Sequence, residues 1–460
     1  KAETIVADAK AEAKSVQEAS EKEIGILKES AAISAEQAKR DAMLAFKTEV
    51  KAEFEKRGYS VDILGYYNYR ELIFPKEYKP KLLIGQAGYN NNDIERYTVR
   101  FKPKIDKILN LRYEQVIAKR ILDSKAHYPK EYMKKASHVC WSEKIKQDMM
   151  AEGIEEKNLP VTGDIKTDFS NHRFDSFFKT KNQLASEFNL DSSKEWILFI
   201  SSFTFNEKDS KRLMSMNHNL DDGKYMQKWN VESKAIVMEW FEKFLKAHPE
   251  KEFIYRPHPV EFNVLDEDST ISILDEKYPN FHYINKYAIQ EWIRPCDYLN
   301  TVISTSIIDV YLLEKQCNIL RPVELNPDFD NPLLVGAKTI STYEEFEKLN
   351  TLKNTEEFPV SREMIDQYYD FGDKLAYERI CDYAEKMIND DSFKHDFYPN
   401  PSRFHRLKFI IKRSLDVPKL IPAVIKSAIK NKSSTSKTKD NRSIYEKNAK
   451  KIREIINQSS

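Results

Sequence analysis

A histidine stands between two prolines in the stretch FIYRPHPVEF, residues 253–262. The apolar run before it predicts a short buried strand, which Pro257 should end because proline cannot donate to a sheet ladder. The two prolines also fix φ on both sides of His258, which lowers the entropy cost of ordering the loop. His258 therefore lies in a rigid segment just beyond a strand end, which is a position suited to a functional-site residue. A rigid turn whose histidine bonds a neighbouring carbonyl explains the same pattern.

A second group of polar residues follows another apolar run, in YLNTVISTSIIDVYLLEK, residues 298–315. Ser304, Thr305 and Ser306 lie where a predicted strand meets a predicted helix. Hydroxyl groups there can cap the helix and, with its free N–H groups, bind a phosphate. Asp309 lies about one turn further on, within reach of a sugar or ribose hydroxyl. An ordinary N-cap with a solvent-facing aspartate is the simpler alternative.

Such a phosphate site would have to replace a glycine-rich loop. Only 10 of the 460 residues are glycine, well below the usual share of about 7%. The sequence contains neither G-x-G-x-x-G nor G-x-x-x-x-G-K-[ST]. We therefore expect any phosphate to be held by hydroxyl and backbone groups.

Composition narrows the class of protein. The length allows about two or three domains, and 41% hydrophobic residues are enough for globular cores. With 74 Lys and Arg against 73 Asp and Glu, the net charge does not indicate nucleic acid as a partner. The cysteines are widely spaced, which favours reduced thiols over disulfides or zinc. No segment has the length and apolarity of a membrane span or a secretory signal, so we expect a cytoplasmic protein.

The chain divides into five parts. Residues 1–48 are rich in Ala, Glu and Lys and predict a long polar helix, either single or in a weak coiled coil that would form a homo-oligomer. Short apolar strands alternate with helices over 49–165 and again over 190–345, which predicts an α/β fold with parallel sheets. Residues 361–395 predict closing helices. Residues 396–460 form a basic amphipathic tail.

The basic tail predicts that the protein binds a membrane surface. Its apolar residues cluster between lysines and arginines, with few acids. Basic amphipathic segments of this kind bind anionic membrane surfaces. A solubilising tail that packs on its own domain is the alternative.

The order of motifs resembles a known group of proteins. HVCWSEKIKQDMMAEGIEEKNLPVTGDI is followed by WILFISSF, then FIYRPHPVEF, then DYLNTVISTSIIDVYLLEKQCNILRPVE. This order resembles the bacterial surface-carbohydrate biosynthesis proteins of the GT-B group, which also holds the CDP-glycerol glycerophosphotransferases. The resemblance covers residues 50–350. It departs at the start, where only AMLAF, residues 42–46, is left as a candidate for the first strand.

The resemblance implies a fold and a set of residue roles. The fold is GT-B, with two Rossmann-like parallel-sheet domains that face a cleft, no obligatory metal and no cofactor apart from the donor substrate. The C-terminal half would bind the donor nucleotide. The implied donor-side residues are His258 and Arg256 at the departing charge, Ser304, Thr305 and Ser306 at the phosphate, Asp309 at the ribose, and Ser201 and Ser202 at the cleft floor. On the acceptor side they are Ser142 and Glu143 at the cleft and Glu114, which we single out as the catalytic base.

The implied function is transfer of a sugar or polyol phosphate from a nucleotide-activated donor to a surface glycan. The donor would be a nucleotide sugar or a CDP-polyol, and the acceptor a lipid-linked or free oligosaccharide. The basic tail would dock the enzyme at the inner face of the cell membrane. Two alternatives stay open, namely a nucleotide-sugar 2-epimerase and an inactive GT-B scaffold that oligomerises through its N-terminal helix.

Overall fold

A computed structural model describes residues 48–63, 78–86, 88–91, 93–94, 101, 105–205, 220–258, 261, 269–352, 357–397 and 449–458. Residues 1–47 of the polar helix predicted over 1–48, the candidate strand at 42–46 and most of the basic tail lie outside these residues. All helices and strands named below belong to the described parts.

Helices cover much of the described chain. They are α1 (48–56), α2 (Lys119–Leu122), α3 (Glu143–Ala151), α4 (Lys181–Phe188), α5 (Leu220–Ala247), α6 (Ser269–Lys277), α7 (Ile289–Ile293), α8 (Ile307–Leu312), α9 (Tyr343–Thr351), α10 (Arg362–Tyr368), α11 (Ala376–Asn389) and α12 (449–458). Two 3₁₀ helices, Ile165–Ser170 and His172–Phe177, connect the halves of the chain.

The first sheet is small and parallel. Its strands β1 (Leu83–Gly85), β2 (Ile108–Asn110) and β3 (Ser137–His138) are adjacent in chain order, and β2 is buried throughout. A single parallel bridge between Cys140 and Val161 extends the β3 side.

The second sheet has five parallel strands in the order β6-β5-β4-β7-β8. These are β4 (Trp196–Ile200), β5 (Glu252–Arg256), β6 (Phe281–Tyr283), β7 (Tyr298–Thr301) and β8 (Asn318–Ile319). The chain moves outward from β4 to β6 and then crosses to the other side of β4. This is the strand order of a Rossmann-like sheet.

The central strand β4 reaches into two hydrophobic cores. One core contains Trp196, Leu198 and Ile200 and continues into the first half of the chain, which holds the first sheet. Ile197 and Phe199 point to the opposite face, where the Phe199 ring lies 4.8 Å from that of Phe241 on α5. Because side chains alternate along a strand, one fully apolar run fills both layers.

The predicted α/β architecture with parallel sheets is therefore confirmed. WILFISS, EFIYRPHP, FHYIN, YLNTVIST and NILRPVE each contain one strand of the second sheet. The apolar residues of 61–64 also predict a strand, and this prediction is wrong over the described residues, 61–63, which have no regular structure. Lys51 Nζ on α1 donates to the Val61 carbonyl at 2.9 Å, so a side chain satisfies a group that a strand neighbour would otherwise bind. All four cysteines are buried and free.

The last helix packs against the first. Ile452 and Ile456 of α12 are buried in the core of the first half. Arg453 of α12 lies 3.3 Å from Glu55 of α1, and Lys56 Nζ donates to the Ile456 carbonyl at 3.5 Å. Residues 449–458 of the predicted tail thus belong to the folded body. No helix within the described ranges is both long and apolar enough to cross a membrane.

The closing helices return the chain to the first sheet. Asp370 N–H donates to the Trp141 carbonyl at 2.7 Å, and the Tyr369 ring stacks on Trp141 with centroids 5.6 Å apart. Arg379 on α11 donates to the Asp370 carboxylate at 2.8 Å and to its carbonyl at 2.6 Å. Gly163 has φ +78, and a Cβ placed there would overlap the Asp370 carbonyl oxygen and lie 2.6 Å from the Arg379 guanidinium. The close approach of these segments requires glycine.

Substitution Gly163→Ala should therefore destabilise the protein more than a left-handed conformation alone explains. Gly336 is a matched control, since its φ is +77 and a Cβ there meets no described atom within 4 Å. We expect Gly336→Ala to cost about 1 kcal/mol for the backbone conformation. Gly163→Ala should cost roughly 1–3 kcal/mol more, because the overlap involves backbone. Denaturant unfolding measures both, and equal losses would contradict the packing argument.

Candidate functional site

The register of the second sheet brings the predicted donor-side segments to one edge. Ile200 of β4 pairs with Arg256 of β5 and with Thr301 of β7. All three strands run in the same direction, so the residues that follow them emerge side by side. The edge is therefore lined by Ser201 and Ser202, by the His258 loop and by residues 302–306. Local sequence patterns had placed each segment after a strand, and the pairing makes them neighbours.

His258 lies two residues beyond β5, as expected from Pro257, and is partly buried. Its backbone N–H donates to Glu261 Oε2 at 2.6 Å, and Glu261 N–H donates to the His258 carbonyl at 2.8 Å. The loop is thus closed in both directions over one turn. Sequence reasoning missed Glu261, although a carboxylate three residues after a strand-end residue is a common way to satisfy a free N–H.

Glu261 is the centre of a buried polar cluster. Ser201 Oγ donates to Glu261 Oε1 at 2.9 Å, and Tyr255 OH lies 3.0 Å from the same oxygen and 3.0 Å from Ser201 Oγ. Lys234 Nζ on α5 lies 4.0 Å from Glu261 Oε1. Burial raises the pKa of Glu261 to about 7, because desolvation disfavours the charged form. Ser201 is therefore engaged in this cluster, and Ser202 is buried beside it.

Arg256 points into the protein. One terminal nitrogen donates to the Ile284 carbonyl at 3.0 Å and the other to the Tyr287 carbonyl, so the side chain ties β5 to the loop after β6. Burial lowers the pKa of Arg256 to about 10. The structure assigns these nitrogens to backbone carbonyls. The implied contact of Arg256 with a donor phosphate stays a prediction.

The hydroxyl residues after β7 form a tight turn into a short helix. Ser306 N–H donates to Ser304 Oγ at 3.1 Å, and the Ser306 side chain does not cap α8. Ser304 and Ser306 are partly buried, whereas Thr305 is exposed. Thr305 is therefore the hydroxyl of the three that is most open to a ligand from solvent. Phosphate binding by this turn stays a prediction.

Asp309 faces the interior and joins the two halves of the chain. Its Oδ1 accepts from Ser170 Oγ at 2.7 Å and from Gln290 Nε2 at 3.0 Å. Burial raises the pKa of Asp309 to about 6. Of its charged neighbours, Asp164 raises this pKa further and Lys166 lowers it. Sequence reasoning assigned Asp309 to a ribose and missed Ser170 and Gln290, which lie 139 and 19 residues away in the chain. The ribose contact is untested.

The predicted acceptor-side residues occupy different settings. Ser142 caps α3, where it accepts from Ile145 N–H at 3.4 Å and donates to the Gln367 carbonyl at 2.6 Å. Glu143 is exposed and accepts from Gln147 at 2.8 Å. Glu114 is exposed in the loop after β2, at the carboxyl edge of the first sheet. A solvent-accessible carboxylate there can accept a proton, and the base role of Glu114 stays a prediction.

A cavity of about 320 Å³ lies at the junction of the two halves. Its walls come from residues 167–173, from residues 370–379 and from Leu312, and do not include His258. Asp168 at its floor accepts from the N–H groups of Ala376 and Tyr377, 2.8 Å each, and so caps α11. This carboxylate already has a structural partner. In the part of the chain that the structure describes, no three His, Cys, Asp or Glu side chains converge as a metal site requires.

Comparison with known proteins identifies likenesses of fold and none of sequence. No protein-family model matches the chain, and no curated protein matches it. It is similar to the UDP-GlcNAc 2-epimerase of Methanocaldococcus jannaschii, with 14% identity over 67% of this chain and 77% of that one and a TM-score of 0.43. It is also similar to the UDP-GlcNAc 2-epimerase of Neisseria meningitidis bound to UDP-GlcNAc, with 14% identity over 67% of this chain and 76% of that one and a TM-score of 0.42. For the wall teichoic acid polymerase TagF, the identity is 14% over 55% of this chain and 58% of that one, and the TM-score is 0.34.

The burial of Asp309 predicts a pH-dependent cost in stability. An acid whose pKa is higher in the folded than in the unfolded protein holds its proton more tightly when folded. Its stabilising contribution is therefore complete below its unfolded pKa, near 3.8, and is lost as pH rises through about 6. In Asp309→Asn, both hydrogen bonds to Oδ1 persist and the charge is removed.

We expect Asp309→Asn to be more stable than the wild type at pH 8, by at most about 3 kcal/mol for a shift of roughly two pKa units. The difference should vanish at pH 4. Denaturant unfolding across this pH range measures it, with Asp373→Asn, on an exposed side chain, as the control. A stability difference that does not change with pH would contradict the assignment.

Proposed function

We propose that the chain is a transferase that binds a nucleotide-activated sugar or polyol phosphate beyond the carboxyl ends of β4, β5 and β7. The strand order β6-β5-β4-β7-β8 carries the proposal. The direction of chain travel reverses between β4 and β7, and in open α/β sheets ligands bind in the crevice at such a reversal. The segments after these strands are the ones that contain Ser201, His258 and Thr305.

The chemistry of this edge suits a departing nucleotide. Thr305 offers an exposed hydroxyl to a phosphate, which needs no glycine-rich loop. His258 would stabilise the negative charge that grows on the leaving nucleotide, and a fixed donor at that point lowers the barrier to transfer. Glu114, at the corresponding edge of the first sheet, would remove the proton of the acceptor hydroxyl.

The acceptor would be a surface glycan, lipid-linked or free. In this proposal the basic residues of 396–448 hold the enzyme at an anionic membrane on the cytoplasmic side, where lipid-linked acceptors are presented. The packed helix α12 anchors the end of that segment to the folded body. Transfer would proceed without a metal ion, and the N-terminal helix would mediate any homo-oligomer.

A nucleotide-free scaffold is the second candidate, and a specific observation favours it. Ser201 Oγ, the two terminal nitrogens of Arg256 and Asp309 Oδ1 all bond to groups of the protein itself. Three of the residues assigned to the donor therefore already have internal partners. A scaffold would keep these contacts for stability alone and would bind no donor.

The test is a binding and turnover screen with CDP, UDP, GDP and their sugar or polyol conjugates, in EDTA. A nucleotide at 100 times its Kd should stabilise the protein by about 2.7 kcal/mol. His258→Ala should weaken binding at least about tenfold, or roughly 1.4 kcal/mol, and abolish transfer to a glycan acceptor. His248→Ala is the matched control, since residue 248 precedes β5 at the opposite edge of the sheet.

Each outcome separates the alternatives. A selective shift that is lost in His258→Ala and kept in His248→Ala supports the transferase. Conversion of a nucleotide sugar in the absence of any acceptor would identify a 2-epimerase instead. Absence of any nucleotide-induced shift would overturn the proposal in favour of the scaffold.

A further inference from the structure

The His258 loop is held by one carboxylate that no part of the proposed chemistry uses. We propose that Glu261 is the positioning residue of the site, which orients His258 only while its carboxylate is charged. The part of this inference that concerns nucleotide affinity rests on the proposed function. The positional part does not, because it concerns contacts within the protein.

The two oxygens of Glu261 have separate tasks. Oε2 accepts from the His258 N–H at 2.6 Å, which ties Glu261 to the backbone of the residue that carries the imidazole. Oε1 accepts from Ser201 Oγ at 2.9 Å and lies 3.0 Å from Tyr255 OH. The carboxylate thereby joins the loop to the end of β4 and to the body of β5. A side chain that accepts on both oxygens is needed to hold all three points together.

The anchors of this cluster are themselves rigid. Tyr255 is fully buried, with its ring 5.2 Å from that of Phe199 and stacked at 6.0 Å on that of Tyr283. Ser201 is 2% exposed and its N–H donates to the Arg256 carbonyl at 2.9 Å, which continues the ladder of β4 and β5. The position of Oε1 is therefore set by two strands. Of the hydrogen-bond partners Ser201, Tyr255 and His258, only His258 lies beyond the ladder of β4 and β5.

Protonation would weaken this arrangement. A charged carboxylate accepts at both oxygens, whereas the protonated acid carries a hydrogen on one of them and must donate there. Among the described residues, the ionisable or charged groups facing Glu261 are Lys234 from α5 and Tyr255 from β5. Burial raises the pKa of Glu261 to about 7. The change of state therefore falls near neutral pH, and the His258 N–H loses its charged acceptor as pH falls.

Glu261→Gln reproduces the uncharged state with almost the same shape. Tyr255→Phe is a second variant that keeps the packing and removes one hydroxyl that lowers the pKa of Glu261. Glu252→Gln is the matched control, because Glu252 is a buried carboxylate at the amino end of β5. It is bonded to His282 at 2.6 Å. It shares the burial of Glu261 but lies on β5 itself, at the other edge of the sheet.

The first readout is the backbone amide resonance of His258 in protein labelled with ¹⁵N-histidine. The chain has nine histidines, and the resonance is assigned by its loss in His258→Ala. In the wild type it should titrate with a midpoint near pH 7, because its acceptor ionises there. The step should disappear in Glu261→Gln, move to higher pH in Tyr255→Phe, and stay unchanged in Glu252→Gln.

The second readout is the affinity for the nucleotide selected in the screen, measured by calorimetry from pH 5.5 to 8.5. Wild-type affinity should fall with decreasing pH at the same midpoint. Glu261→Gln should bind about tenfold more weakly than the wild type at pH 8 and show no step at that midpoint.

The outcomes distinguish the two proposals. An unchanged His258 titration in Glu261→Gln would overturn the positioning role, as would equal nucleotide affinity of that variant and the wild type at pH 8. If the amide follows Glu261 but no nucleotide binds at any pH, the positioning role stands and the transferase proposal fails.

Discussion

The parallel pairing of β4 with both β5 and β7 is the constraint on which the rest of the molecule depends. Every residue of β4 is buried, and its side chains alternate between two hydrophobic cores. Removing each large apolar side chain from water contributes about 1.5–3 kcal/mol, so a shift of register by one residue would exchange the two faces and disrupt both cores. The same register decides which residues emerge at the carboxyl edge. Stability and the location of the site are therefore fixed by one set of contacts.

The polar residues at that edge show how a buried sheet can carry chemistry. Two of them have partners that compensate for burial, since Glu261 accepts from the His258 N–H and Arg256 donates to two carbonyls. An unpaired polar group in the same place would cost about 1–3 kcal/mol. These contacts remove freedom from the loop that carries His258, and preorganised groups of this kind are what transition-state stabilisation requires. Burial also moves the pKa of Glu261 close to neutral, so the arrangement responds to pH where cells operate.

The junction between the halves depends on similar compensation. Asp309 bonds Ser170 from the connecting segment, Asp168 caps α11, and Gly163 admits the Asp370 carbonyl against the Arg379 guanidinium. These contacts hold the closing helices on the first sheet and leave a cavity of about 320 Å³ beside them. Relative motion of the halves would have to break buried hydrogen bonds. We infer that the junction is a fixed frame.

The sequence by itself determined the class of fold and the position of the strand ends. Apolar runs such as WILFI, a proline directly after β5 and hydroxyls before α8 are local signals, because strand burial, lost N–H groups and helix starts depend on a few adjacent residues. Only the tertiary structure decided which polar groups meet. Glu261 finds Ser201 sixty residues away, Asp309 finds Ser170, and Arg256 turns inward to Ile284 and Tyr287. A local pattern contains no information on such distant partners, since they become neighbours only when strands and connecting segments pack, and burial then sets their hydrogen bonds and pKa values.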